Sequence, residues 1–92
     1  MADENENYFA TYGREPLHAN TQILVARFAH ALALKLLKSQ HKYGWSDNWA
    51  RSEWEAECRA ELVRHIEKGD PLDVAAFCAF MFHHGWSTSN KE

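Results

Sequence analysis

Proline, glycine and cysteine are all scarce in this 92-residue chain, with two, four and two copies respectively. Because proline and glycine interrupt helices, long stretches are free to be helical, and no alternation of polar and apolar residues indicates a strand. No apolar run approaches the roughly 20 residues of a membrane-spanning helix, so we expect no membrane partner. The acidic opening Met1-Ala2-Asp3-Glu4 has no apolar segment behind it, so we expect no signal peptide and a cytoplasmic protein.

Cysteine is too scarce for a disulfide-stabilised protein, and positive charge is too scarce for a protein that binds nucleic acid through a basic face. Cys58 and Cys78 cannot build a disulfide framework, and both fall among apolar residues, so we expect buried, reduced thiols. Their predicted helices are neighbours, which leaves one disulfide geometrically open. Ten Lys and Arg against thirteen Asp and Glu give a net charge of −3. The sequence has no Lys/Arg cluster, so we expect no direct sequence-specific contact with nucleic acid.

What the chain does contain is apolar and aromatic material: 46% of its residues are hydrophobic and 13% aromatic, including four Trp. This is enough for one small domain over residues 1–92. A core of this size can need a partner chain to bury so much aromatic surface. Residues 1–7 are acidic and rich in Asn, so we expect them to be disordered, and we expect residues 8–20 to form an irregular arm.

Helical spacing and end signals predict an all-α bundle of three main helices, the first over residues 21–43. Asn20 or Thr21 can cap its start, and Gly44 ends it. Its apolar residues spread around the helix, which predicts burial on more than one side, either inside the bundle or against a bound partner.

The other two predicted helices form a hairpin that is broken at Gly69-Asp70-Pro71. The second helix covers residues 52–68, with Ser52 and Glu55 as a capping box, and the third covers residues 71–84. So short a break favours antiparallel neighbours. The inward residues are expected to be Trp54, Cys58, Leu62 and Ile66 on the second helix and Val74, Phe77, Cys78 and Met81 on the third.

Acidic residues on this hairpin are the first candidate site. Carboxylates from facing helices can share Mg²⁺, and the candidate ligands are Glu57, Glu61, Asp70 and Asp73. The alternative is structural, since the two aspartates are explained as cap and first-turn residues and the two glutamates as partners of nearby basic residues. No standard zinc spacing occurs among the other candidate ligands, Cys58, His65, Cys78, His83 and His84. A catalytic thiol is disfavoured because apolar burial raises its pKa.

The aromatic turn between the first two helices is the second candidate site. Trp and Tyr are over-represented at binding hot spots, so the candidates for contact with another protein are Tyr43, Trp45, Trp49 and Trp54. The alternative is that these rings close one end of the bundle.

Several blocks of the sequence carry a family resemblance: Phe28-Ala29-His30-Ala31, Lys35 with Leu36, His41-Lys42-Tyr43-Gly44-Trp45, and the run from Glu61 to Cys78. The Glu-Lys-Gly-Asp-Pro motif of the last block, followed by Asp-Val-Ala, is the most distinctive part. With these blocks the chain resembles small proteins of tailed bacteriophages and prophages that are dATP/dGTP pyrophosphohydrolase-like and distantly MazG-like.

The resemblance implies an all-α fold, Mg²⁺-dependent cleavage between the α- and β-phosphates of a nucleotide, and a homo-oligomer. The ion would be held by Glu57, Glu61 and Asp73, with Asp70 assisting. The chain departs from the family pattern, because the second helix lacks the Glu-x-x-Glu pair. We therefore favour a phage-type accessory protein without a cofactor, which binds and modulates a host protein in the host cytoplasm, as in host takeover or anti-defence. The alternative is a Mg²⁺-dependent dNTP pyrophosphohydrolase.

Overall fold

The computed structural model describes residues 15–44 and 46–90, and this part of the chain contains helices and no strand. The helices are α1 (Ala19–Tyr43), α2 (Glu55–Lys68) and α3 (Pro71–His84), with a short 3-10 turn (Asn48–Ala50) between α1 and α2. The predicted all-α bundle is confirmed. The expected disorder of residues 1–7, and the arm up to residue 14, lie outside the described residues.

The break between α2 and α3 has the local structure that its sequence predicts. Gly69 ends α2 at φ +88°, in the left-handed region that glycine adopts without steric cost. Oδ1 of Asp70 then accepts a hydrogen bond from the backbone N–H of Leu72 at 2.9 Å, and Pro71 occupies the first helical position. A stop signal and a start signal in direct succession therefore divide the two helices.

The starts of α1 and α2 differ from the prediction. α1 begins two residues early, because Nδ1 of His18 accepts a hydrogen bond from the N–H of Asn20 at 3.1 Å and caps the helix. α2 begins only at Glu55, and the predicted capping box at Ser52 is wrong. The residue before α2, Trp54, donates its indole N–H to the carbonyl of Trp49 at 3.1 Å, which holds the chain irregular through residue 54.

α2 and α3 pack as an antiparallel pair that contains the core. Trp54 at the start of α2 meets Trp86 just beyond α3 with ring centroids 6.1 Å apart, whereas His65 near the end of α2 meets Phe77 at 4.9 Å. The buried residues are Cys58, Leu62, Ala76, Phe80 and Met81. The pair therefore buries one continuous face from each helix.

Two residues that were expected to face inward are exposed, Ile66 on α2 and Cys78 on α3. Of the other residues expected to face inward on α3, Met81 is buried and Val74 and Phe77 are partly buried against the core. Phe80 is the ring on which the aromatic turn packs, and its burial turns α3 so that Ala76 and Met81 face inward and Cys78 faces solvent.

Only the second half of α1 packs on the bundle. Leu32 and Leu36 contact the core, and Lys35 lies beside the start of α3. Residues 19–30 are all exposed, and we call this segment the overhang. It is about 18 Å long at 1.5 Å per residue. α1 has 25 residues, whereas α3, on which it packs, has only 14. The first half of α1 therefore extends beyond the bundle, and within the described chain α1 is not a central helix.

Candidate functional site

Lys35 occupies the place where the sequence suggested a metal ion. Its ammonium group lies 3.2 Å from Oδ2 of Asp70 and 3.2 Å from Oδ1 of Asp73, because α1 crosses α3 at the first turn of α3. The hydrogen bonds that Lys35 donates to Asp70 and then to Asp73 raise the pKa of Lys35. The N–H of Leu72, and after it Lys35, lower the pKa of Asp70. A side-chain cation thus already neutralises the two aspartates.

The second predicted pair of ligands lies on α2 and is not brought to the aspartates. Oε2 of Glu61 accepts hydrogen bonds from Arg64, at 2.7 Å from Nη2 and 2.9 Å from Nε, and this contact lowers the pKa of Glu61. Glu57 is exposed. Across residues 15–44 and 46–90, no group of three or more His, Cys, Asp or Glu side chains is placed to hold a metal ion. The residues present do not fit a Mg²⁺ site in this arrangement.

A cleft of about 490 Å³ lies between α1 and the α2–α3 pair. Its walls include Leu36, Tyr43 and Phe77. Five cationic side chains surround it, namely Lys35, Lys38, Lys42, Arg64 and Lys68. The expectation of no basic cluster is therefore wrong. The basic cluster could not be recognised in the sequence, because its residues come from two helices and no two of them are adjacent in the chain.

Three of these cations lack a carboxylate partner among the described residues. Lys35 and Arg64 are held by the ion pairs given above, whereas no ion pair is found there for Lys38, Lys42 or Lys68. The ammonium of Lys42 lies instead over the ring of Tyr43, 5.2 Å from its centroid. The cleft is thus locally positive in a chain whose net charge is −3.

The aromatic turn closes one end of the bundle. Trp49 stacks on Phe80 with centroids 5.7 Å apart, and Trp54 packs on the same ring at 5.9 Å. The carbonyl of Trp49 accepts hydrogen bonds from the indole of Trp54 and, at 2.7 Å, from Nε2 of His84. Trp49 and Trp54 are half-buried against the core, as in the alternative interpretation of this turn.

The other two residues of that candidate surface have different outcomes. Tyr43 is exposed at the end of α1 and lines the cleft. Trp45 lies outside the described residues. A docking surface made of all four aromatic rings is therefore not assembled by the described part of the turn.

The two cysteines are free and have opposite environments. Cys58 is completely buried, and burial raises its pKa to about 11. Cys78 is exposed. The three histidines once considered with them for zinc are engaged elsewhere, because His65 packs on Phe77 and His83 and His84 on the rings of Trp49 and Trp86.

Six large apolar side chains of α1 are exposed and form two stripes. The outer stripe is Ile23, Leu34 and Leu37, and the inner stripe is Leu24, Val25 and Phe28; each of these residues has between 42% and 61% of its surface exposed. At about 100° per residue, the inner stripe lies on the side of α1 that packs on the core further along, and the outer stripe lies opposite. The wide apolar band of α1 predicted burial on more than one side, and neither side of the overhang is covered within the described chain.

No protein-family model, curated protein or solved structure matches this chain. Among the helices of residues 15–44 and 46–90, none has both the length and the apolar character that crossing a membrane requires. The function is therefore argued from the surfaces of the chain itself.

Replacing Asp70 tests the contact between the break and Lys35. We expect Asp70→Ala to lower the melting temperature by a few degrees, because both the cap and the ion pair are lost. Asp70→Asn keeps an oxygen that accepts the N–H of Leu72 and should fall between the wild type and Asp70→Ala. Thermal melts followed by circular dichroism at pH 7 measure the order, and equal melting temperatures for the two variants would contradict it.

Asp70 also makes the stability of the fold depend on pH. The pKa of Asp70 is lowered in the folded state, so its stabilisation is complete above the unfolded value of about 3.9 and is lost as the pH falls through the lowered value. The difference in melting temperature between the wild type and Asp70→Asn should therefore shrink in acid.

Proposed function

We propose that the protein acts by binding another protein through the outer stripe of α1. The observation that carries this proposal is that Ile23, Leu34 and Leu37 are about half exposed on the side of α1 that faces away from the bundle. Single exposed apolar residues are ordinary, but two large ones one turn apart, with a third on the same outward helix face, are typical of an interaction surface.

The form of the stripe favours a partner with a groove. Leu34 and Leu37 lie one turn apart on the outer face, and apolar anchors at this spacing on a preformed helix are the pattern by which helices bind in hydrophobic grooves. All of the charged residues of α1 are basic, namely Arg27, Lys35, Lys38 and Lys42. A partner of matching chemistry therefore has an apolar groove with acidic residues at its rim.

The resemblance to small phage proteins adds the kind of partner. In a phage-type accessory protein the bound chain is a host protein, modulated in the host cytoplasm for host takeover or anti-defence, and no cofactor is needed. The neutralised carboxylates support this function over catalysis, because Lys35 and Arg64 hold three of the four residues that would have to bind Mg²⁺. The resemblance also implies a homo-oligomer. Binding to a host protein is compatible with one, because the outer stripe faces away from the rest of the chain and stays accessible.

One observation favours the enzymatic alternative. The cleft combines three lysines that lack a carboxylate partner in the described chain with Glu61 and Asp73, so it could attract the phosphates of a nucleotide. Pyrophosphate release from a panel of dNTPs with Mg²⁺, lost in both Asp73→Ala and Glu61→Ala, would replace the binding function with this alternative.

The test of binding uses a photo-crosslinking amino acid at position 34 in bacterial cells. We expect one discrete adduct at Leu34 and none at the matched control Glu57, which is exposed on α2. The crosslinked protein is identified by mass spectrometry, purified, and mixed with this chain. A defined stoichiometric complex that Leu37→Glu abolishes supports the function, whereas equal, diffuse adducts at positions 34 and 57 contradict it.

A further inference from the structure

We propose that the inner stripe of α1 is a dimer interface, covered by the inner stripe of a second copy of this chain. Leu24, Val25 and Phe28 continue the same face of α1 that buries Leu32 and Leu36 against the core. Along the overhang this face is exposed because α3, which covers it further along α1, begins beside Lys35. The overhang is therefore a core-type surface that lacks an opposing helix among the described residues.

The area of the inner stripe suits a second copy. A half-exposed side chain of this size presents on the order of 100 Å². With Leu17, which is 41% exposed just before α1, and the smaller residues between them, each copy offers roughly 500 Å². Two copies then bury about 1,000 Å², which is the size at which specific interfaces begin. We expect a dimer of micromolar affinity rather than an obligate one.

The shape of the chain selects an antiparallel arrangement. The inner stripe and the α2–α3 pair lie on the same side of α1. In a parallel pair both bundles would lie between the two α1 helices at one end and force them apart. In an antiparallel pair each overhang instead lies beside the other, with the bundles at opposite ends. Leu24 and Val25 then lie near the two-fold axis, and Phe28 lies opposite Thr21 of the second copy.

The charges of the segment permit this contact. Between Glu15 and Lys35 the only charged side chain is Arg27, which lies about a third of a turn from the inner stripe. No like charges meet at the centre of an antiparallel pair. Its ends bring Glu15 of one copy towards Lys38 of the other, which has no ion pair among the described residues, and this is a favourable pairing.

Sedimentation equilibrium of the full chain from 1 to 200 μM tests the dimer. We expect Phe28→Glu to raise the dimer dissociation constant at least 100-fold. The matched control is Phe82→Glu, which makes the same substitution at an exposed phenylalanine of α3, outside both stripes, and should leave the dissociation constant within about twofold. Helical circular dichroism of both variants checks that α1 remains folded.

Cysteine crosslinking in a Cys78→Ser background tests the direction of the helices. Val25→Cys should crosslink near the two-fold axis, whereas Thr21→Cys should not, since a parallel pair alone would bring two copies of residue 21 together. Efficient crosslinking at residue 21 would overturn the antiparallel arrangement.

Three results would overturn the dimer itself. They are a monomer at 200 μM, equal effects of Phe28→Glu and Phe82→Glu, and a dimer that forms only when residues 1–14 are deleted, which would assign the inner stripe to that segment. The proposed function is tested independently of the dimer, because it depends on the outer stripe and on the adduct at position 34.

Discussion

Met81→Ala should lower the free energy of unfolding by about 3 kcal/mol. Met81 has 1% of its surface exposed and lies in a core of five buried residues in the described chain. Truncation removes its apolar contacts and leaves a cavity that neighbouring side chains cannot fill. Small domains have only about 5–15 kcal/mol of stability in total, so this single change should bring the chain close to unfolding at 37 °C.

The control for this prediction is the next residue along α3. Phe82 has 66% of its surface exposed, so Phe82→Ala should change the free energy of unfolding by no more than about 0.5 kcal/mol, although it removes a larger side chain. Urea denaturation at one fixed protein concentration measures both variants. Similar losses at positions 81 and 82 would mean that Phe82 is covered by something, and the assignment of the core face of α3 would be wrong.

The two cysteines should differ in reactivity by at least two orders of magnitude in the folded chain. Cys58 is completely buried, and its pKa of about 11 leaves it at pH 8 with a thiolate fraction about 100-fold below that of an ordinary thiol. Cys78 is exposed on α3. A chromogenic disulfide reagent should therefore titrate one thiol rapidly in native buffer and the second only after denaturation.

Single variants assign the two thiols. Cys78→Ser should abolish the rapid reaction and leave only the slow one, whereas Cys58→Ser should leave the rapid reaction unchanged. Two rapid thiols in the wild type would show that α2 and α3 separate readily. No rapid thiol would show that a second chain covers Cys78, or that the two cysteines have become joined.

The C-terminal ends of the helices and the start of α3 were the most predictable part of the fold. Gly44, Gly69 and Asp70 act through their own backbone and nearest neighbours, so their effect can be derived from the sequence alone. The helix start predicted at Ser52 is wrong because it competes with the contacts of Trp54, which donates a hydrogen bond to Trp49 and packs on the distant ring of Phe80. Local signals predict helix ends only where no distant ring or hydrogen bond claims the same residues.

The candidate sites were less predictable, because they depend on which faces meet. The four carboxylates were predicted as candidate Mg²⁺ ligands, and nothing in their spacing reveals that Lys35, far from them in the sequence, lies between Asp70 and Asp73. The basic cleft could not be predicted for the same reason, since Lys68 and Lys38 line one cleft only after α1 packs on α3. The wide apolar band of α1 predicted burial either inside the bundle or against a bound partner, and the first alternative is wrong for the overhang among the described residues.

The half-docked α1 determines how the exposed half would be recognised. A free helix of about 12 residues is only marginally formed in water, because the first turn is costly to nucleate. Here Leu32 and Leu36 fix the adjoining half on the bundle, so the overhang extends an existing helix and needs no nucleus of its own. A partner therefore meets a preorganised ligand and loses little affinity to ordering, unlike a segment that folds as it binds. Association should be governed by rigid docking, with its rate set by encounter and orientation rather than by folding.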